Sequence, residues 1–353
     1  SAALPIILNI TLIIALIMTF YLKEDYLTFL SWSIIIAGFF QVLFLFVSLF
    51  REKIYFLFSF KLYTDYTKRF LRLFSASFFS SGLLQINILI GTIIVSYESS
   101  AISYLYYADR VYQLPLALIG IAIGIVLLPS ISSKIKKEKF EIINESIEQT
   151  LVYSLLFAVP ASFGIFALSE IIISVLFERG EFNEILSFFT SEALKYYSFG
   201  LIAFILMKIY TPIFYAYENA RPTIYVTITN LVMNTLLSIV LFIYIGFIGI
   251  PIATSISAWA SILLMNYFLE KNNYFKIRKK IFLPLIIIII VSLIMYFYLL
   301  LLKSYSSLFI NLLLNNEIIF LLFSVLSSIL LYFVLISFYK PFNYSEVKKI
   351  MQK

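Results

Sequence analysis

Ten predominantly apolar stretches, each bounded by charges or turn residues, recur along the sequence at roughly 3–22, 27–49, 72–97, 101–131, 150–177, 188–216, 222–244, 248–269, 283–302 and 313–339. At 1.5 Å rise per residue, about 20 such residues cross the hydrocarbon core of a bilayer as a helix. The runs are continuous rather than alternating over about ten residues, which disfavours a membrane β-barrel. Apolar residues make up 62% of the chain and charged residues 13%, too little polar material to clothe a water-soluble core. The expected fold class is therefore an all-α polytopic membrane protein with about ten transmembrane helices.

Charge distribution orients the helices. Arg51, Lys53, Lys61, Lys68, Arg69 and Arg72 follow the second run; Lys134, Lys136, Lys137 and Lys139 follow the fourth. Arg221 follows the sixth, Lys271, Lys276, Arg278, Lys279 and Lys280 follow the eighth, and Lys340, Lys348, Lys349 and Lys353 close the chain. The opposite side holds Lys23, Arg179, Lys195 and Lys303. The positive-inside rule then puts the even connections and both chain ends in the cytoplasm. The net charge of +7 is thus a topology signal, and nucleic acid is not an expected partner. Residues 51 to 71 mix charges with Tyr55, Phe56, Phe58 and Phe60, as an amphipathic linker on the inner leaflet does, and 134 to 149 reads as a second, more polar interfacial segment.

The chain has no Cys and no His, which removes thiolate nucleophiles, disulfides and the common zinc sites. The spans also lack the clustered acidic groups that phosphate-lipid enzymes use, so a transporter is expected rather than an enzyme, with no cofactor. A weak internal repeat supports this. Trp32 and Trp259 each sit in the second helix of a pair opening with Ala3-Leu-Pro5 and Ala220-Arg-Pro222. On that repeat, 1–50 are the last two helices of an N-terminal lobe, 51–71 the linker and 72–270 a six-helix C-terminal lobe. Residues 271–353 add a basic loop, two extra helices and a tail. Four further helices are expected upstream of Ser1, where the sequence opens without an initiator Met.

Two of the 26 basic residues fall inside spans. Arg110 lies about ten residues into the fourth, within Tyr106-Tyr-Ala-Asp109-Arg110-Val-Tyr-Gln113-Leu-Pro115. A guanidinium keeps its proton, so here it faces a cavity or finds partners, or else snorkels to the interface beside Asp109. Asp109 projects about 100° away round the helix, whereas Gln113 and Tyr106 share the arginine's face. The planar donors of Arg110 match phosphate or diphosphate. Pro115 is expected to bend the helix, and Gly120 and Gly124 have small-xxx-small spacing suited to a hinge or close helix contact. Lys208 in the sixth span is the second cavity cation, or a lysine whose stem reaches the interface. Asn230, Asn234 and Thr254 are oxygen ligands for Na⁺ or helix-packing polar groups. Glu170, Glu178, Arg179, Glu181 and Glu184 read as a solvated outer turn.

The run from Tyr106 to Ser132 closely resembles the signature helix of the MurJ (MviN) lipid II flippases, within the multidrug/oligosaccharidyl-lipid/polysaccharide exporter superfamily. Leu176-Phe-Glu-Arg-Gly180-Glu-Phe, Tyr197-Ser-Phe-Gly200 through Tyr215, and Asn219-Ala-Arg-Pro222 are similar in the same order. The resemblance implies two six-helix lobes plus two C-terminal helices, with this chain matching helices five to fourteen. It implies that Arg110 is a cavity arginine, with Asp109 and Gln113 beside it, and that the last two spans form a groove for a lipid tail. Some members bind Na⁺ through positions matching Asn230, Asn234 and Thr254, but Gly91 stands where an acidic ligand is expected. The function implied is translocation of lipid II by a monomer surrounded by membrane lipid. The rivals are an exporter of another polyprenyl-linked glycan or drug, and a non-transporting truncated membrane scaffold.

Overall fold

The computed structural model of the chain describes residues 4–22, 26–52, 67, 71, 82–83, 85–135, 140–306 and 316–338, with backbone alone for 22 and 121–135. These residues are helical nearly throughout, in the order expected from the apolar runs. Large Ile, Leu and Phe side chains cover the outside, such as Phe20, Leu263 and Leu330 at 73%, 72% and 67% exposed. Such a surface is stable only where the solvent is itself apolar, since no hydrophobic force drives these side chains inward from lipid. The chain is a multi-pass membrane protein.

Two compact units divide at Phe70 and Leu71. In the first, α1 (Leu4–Leu22) packs against α2 (Tyr26–Arg51). Ser33 and Ala37, one turn apart, supply the small buried face of α2 that lets the pair approach, and the Gln41 amide donates to the Leu4 carbonyl at 2.9 Å. The predicted linker 51–71 lies outside the described residues apart from Arg51, Glu52, Thr67 and Leu71.

The second unit contains α3 (Gln85–Val95), α4 (Ala101–Ile135), α5 (Phe140–Phe177), α6 (Glu184–Ala216), α7 (Arg221–Ile245), α8 (Gly249–Lys271), α9 (Phe282–Ser304) and α10 (Glu317–Ser337). Among the described residues, seven stretches are long and apolar enough to cross a membrane, and one of these, Arg221–Lys271, is α7 and α8 divided by a 3₁₀ turn at Gly246–Ile248. Helix α4 continues through Pro115, at most bent there. The segment expected as a separate interfacial helix at 134–149 is different: from Phe140 onward it is the first part of α5. Its Ile143, Ile147 and Leu151 repeat every four residues and are buried, so the packing face of the span simply extends beyond the apolar run.

Helix α6 is the centre of this unit, packed against α4, α5 and α8. Hydrogen bonds between helices hold it in place of a hydrophobic drive. Ser162 of α5 donates to the Ser198 carbonyl at 2.6 Å, Ser255 of α8 to the Tyr196 carbonyl at 2.8 Å, and the Trp259 indole to the Phe199 carbonyl at 2.9 Å. Each contributes about 0.6 kcal/mol in a membrane protein. Gly200 permits the approach: a Cβ there would stand 2.9 Å from Ser255 Oγ and 3.2 Å from its Cα.

Helices α7 and α8 are tied still more closely. Gly246 closes α7 at φ +65° and ψ −151°, a region that side chains avoid, and a Cβ on Gly249 would fall 2.6 Å from the Leu241 carbonyl carbon. The Glu98 carboxylate caps the turn from the α3–α4 connection, accepting from the Phe247 N–H at 2.9 Å. A single carboxylate thus joins the ends of two helical hairpins.

The opposite end of the unit is joined by the connection between α8 and α9, residues 272–281. Phe275 is fully buried beside Tyr210, and Tyr274 stacks on Tyr217 with ring centroids 4.1 Å apart while its hydroxyl accepts from Asn219. Asn144 of α5 brackets Lys276, donating to its carbonyl and accepting from its N–H, each at 2.8 Å. Glu148, almost wholly buried, accepts from Arg278 Nη2 at 2.5 Å, from its Nε at 2.9 Å and from its backbone N–H at 3.1 Å. Lys280 reaches Glu145 at 3.0 Å.

Candidate functional site

Helix α4 buries Ala101, Tyr104, Ala108, Val111 and Tyr112, residues three or four apart that form the stripe packed on α6 and its neighbours. Tyr104 meets Phe189 and Phe247, and Tyr107 meets Phe177 and Phe182, so aromatic contacts anchor the first turns of the helix. The opposite stripe, Ile102, Ser103, Tyr106, Arg110, Leu114, Ala117 and Leu118, is exposed. Arg110 therefore lies at the middle of the uncovered face, as its sequence setting predicts. Its Nη2 donates to the Tyr106 hydroxyl at 3.0 Å, and the guanidinium carbon sits 4.7 Å from the centre of that ring. This combined hydrogen-bond and cation–π contact orients the fork while leaving its other donors open.

Gln113 donates from its amide to the Asp109 carboxylate, one turn back, and Tyr112 faces the same carboxylate. Tyr112 in turn stacks on Tyr197 of α6, centroids 5.2 Å apart and rings 14° from parallel. Asp109 is partly buried, so its carboxylate takes neighbouring donors on its own helix, while it still lies close enough to Arg110 to interact with its charge. Tyr112 and Tyr197, which complete this arrangement, both lie in stretches that carry the family resemblance, but nothing in the sequence pairs them.

Lys208 is exposed on α6. Its Cγ lies 3.4 Å from the position a Cβ would take on Gly120, with Cβ and Cδ at 3.9 and 4.0 Å. Gly120 thus accommodates the stem of Lys208 in addition to any hinge role, while Gly124 lies where the backbone alone is described. Ten residues separate Arg110 from Gly120, about 15 Å along the helix and about 80° round it. The two cations are thus set apart along the α4–α6 pair and do not share a single contact.

The three sodium candidates are each engaged. Asn230 donates to Ser261 Oγ at 2.9 Å, Asn234 to Asn87 Oδ1 at 2.9 Å, and Thr254 to the Ile250 carbonyl at 2.8 Å. Asn87 of α3 is a partner that the sequence did not single out. No group of three or more acidic, His or Cys residues able to hold a metal occurs among the described residues.

The outer turn is solvated as expected, with Glu178, Arg179, Glu181 and Glu184 all exposed. Glu170, Glu178 and Glu184 also line a cavity of about 320 Å³ together with Ser174, Lys303 and Glu317. Lys303 pairs with Glu170 at 2.6 Å and Ser174 donates to Glu317 at 2.8 Å, fastening α9 and α10 to α5. Polar groups from four helices, α5, α6, α9 and α10, meet there, although they are distant in sequence.

Lipid-exposed apolar helices of span length, with Arg110 on the uncovered face of α4, define a polytopic helical membrane protein. Over 96% of this chain and 67% of the other, the fold is similar to a solved structure described as lipid II flippase MurJ in an inward closed conformation, with a TM-score of 0.76 and 26% identity. The family model for lipid II flippase MurJ matches residues 1–333, and the chain belongs to that family. Similar curated proteins include a probable lipid II flippase MurJ from Rhizobium tropici, 38% identical over 266 residues, covering 73% of this chain and 49% of that protein. Another from Rickettsia prowazekii is 35% identical over 278 residues, 78% of this chain and 54% of that protein. The chain spans about half the length of these relatives.

Proposed function

We propose that the full-length protein carries lipid II, the polyprenyl-diphosphate-linked peptidoglycan precursor, from the inner to the outer leaflet of a bacterial cytoplasmic membrane by alternating access, acting as a monomer. The observation that supports this most is Arg110: a permanent cation on an exposed face of a transmembrane helix, oriented by Tyr106 and left with open donors. Such a charge inside a membrane marks a substrate path, and a planar fork fits a diphosphate. The charge asymmetry places the α8–α9 connection in the cytoplasm and the start of α4 near the outer surface. The side-chain hydrogen bonds of Asn230, Asn234 and Thr254 support packing roles, so the reading assigns no sodium ion there. The membrane potential then supplies the drive, acting directly on charge carried across.

Native mass spectrometry of the full-length protein with undecaprenyl diphosphate and undecaprenol tests the substrate class. The diphosphate is expected to remain bound at concentrations where the alcohol dissociates. Equal retention of the two lipids contradicts a diphosphate site.

A further inference from the structure

Lys208 is placed with more care than a lysine merely escaping lipid requires. Its aliphatic stem lies across Gly120, the residue of α4 whose missing side chain leaves room for it, with Cγ 3.4 Å from the vacant Cβ position. Its exposed ammonium has no hydrogen-bond or ion-pair partner among the described side chains. A fixed stem and a free cationic head are the two properties an anion-binding lysine needs. Gly120, against which the stem lies, is ten residues from Arg110, about 15 Å along α4. Lys208 is eight residues from the end of α6 at Ala216, about 12 Å along that helix, on the side bearing the basic connections.

We infer that Lys208, seated on Gly120, is an entry station that receives the diphosphate of the lipid from the cytoplasmic leaflet before it reaches Arg110. This rests on the diphosphate-lipid reading given above and adds an order to it. Two exposed cations on the packed α4–α6 pair, set apart along it by about ten residues of α4, divide the path into two steps, so that the anion need not cross the half-membrane in one uncompensated move. A compact ammonium suits the first step, where the head group arrives in varied orientations, and the guanidinium fork suits the second, where it is held. Gly120 belongs to the station because the stem lies against it: a bare Cβ would only touch the stem, whereas a branched side chain reaches into the space the stem occupies.

The test is the dependence of flipping rate on lipid II content in vesicles containing the full-length protein. Lys208→Gln is expected to raise the half-saturating lipid II content about tenfold, with little change in maximal rate, because it removes a charge-assisted contact made on entry. Lys208→Arg restores most of the loss, and Gly120→Val reproduces it while leaving the lysine in the sequence. Thermal unfolding within a few degrees of wild type confirms that each variant folds. Unchanged half-saturation in Lys208→Gln, with Arg110→Ala still inactive, overturns the entry station alone; a fully active Arg110→Ala contradicts the site reading itself. Repeating the comparison without phosphatidylglycerol separates two sources of phosphate. If the difference between wild type and Lys208→Gln disappears there, the lysine answers to bulk anionic lipid and the entry role fails.

Discussion

Arg110→Ala is expected to abolish the ability of the full-length gene to sustain growth in cells depleted of their own lipid II flippase, and Arg110→Lys to recover only a small part of it. Charge-assisted hydrogen bonds contribute about 1.5–3 kcal/mol each, so losing a two-pronged phosphate contact costs a hundredfold or more in the bound state. Lysine keeps the charge but not the planar fork, and loses the cation–π and hydrogen-bond contacts that hold the guanidinium over Tyr106. Folding is not the route of the loss. Arg110 is exposed and its side-chain contact is with a tyrosine on its own helix, a setting in which substitution changes stability by about 0.5 kcal/mol or less. Immunoblots of membrane fractions should therefore show wild-type amounts of both variants. Normal growth with the alanine variant at that level contradicts the role given to Arg110.

The largest stability effect belongs to Glu148. Glu148→Ala is expected to destabilise the protein by about 3 kcal/mol, the scale found when one member of a buried ion pair is removed. The carboxylate accepts two side-chain bonds and one backbone N–H from Arg278, and it stands 3.6 Å from Lys280. Its removal leaves that N–H without its acceptor and two cations facing each other. The Arg278 side chain is 37% exposed, so water relieves part of this and the loss falls at the lower end of the range. Glu148→Gln, which retains an acceptor oxygen, is expected to cost roughly half as much. Thermal unfolding of the full-length protein in detergent measures both, and equal stability of wild type and Glu148→Ala contradicts the role of the clasp.

Local pattern made the helices legible, while partners distant in sequence did not show. An apolar run of span length has few alternatives to a helix, so the order of α1 to α10 follows from the sequence. Arg110 was legible for the same reason, since a charge within such a run costs too much to be incidental. The partner of Gln113 was not legible, because helical spacing gives the face of a residue within tens of degrees and cannot decide between i−3 and i−4 partners. The meeting of Asp109 with Gln113 and Tyr112 follows only from folding. Glu148 did leave a trace: Asn144, Ile147, Glu148 and Leu151 lie three or four apart, which marks one helical face continuing into the span. Their partners at 276–278 follow only from folding, as does the seat of Lys208 on Gly120. The outer cavity was illegible for the same reason, because Glu170 and Lys303 meet from helices far apart in the chain.

The central claim is that Arg110 holds the diphosphate of lipid II during passage. Fluorescent lipid II in vesicles containing the full-length protein, with label on the outer leaflet read by membrane-impermeant quenching, tests it most directly. Wild type is expected to redistribute the lipid between leaflets, and Arg110→Ala, incorporated in equal amount and equally folded, to leave the distribution at the rate of protein-free vesicles. Redistribution by the alanine variant at the wild-type rate contradicts the account.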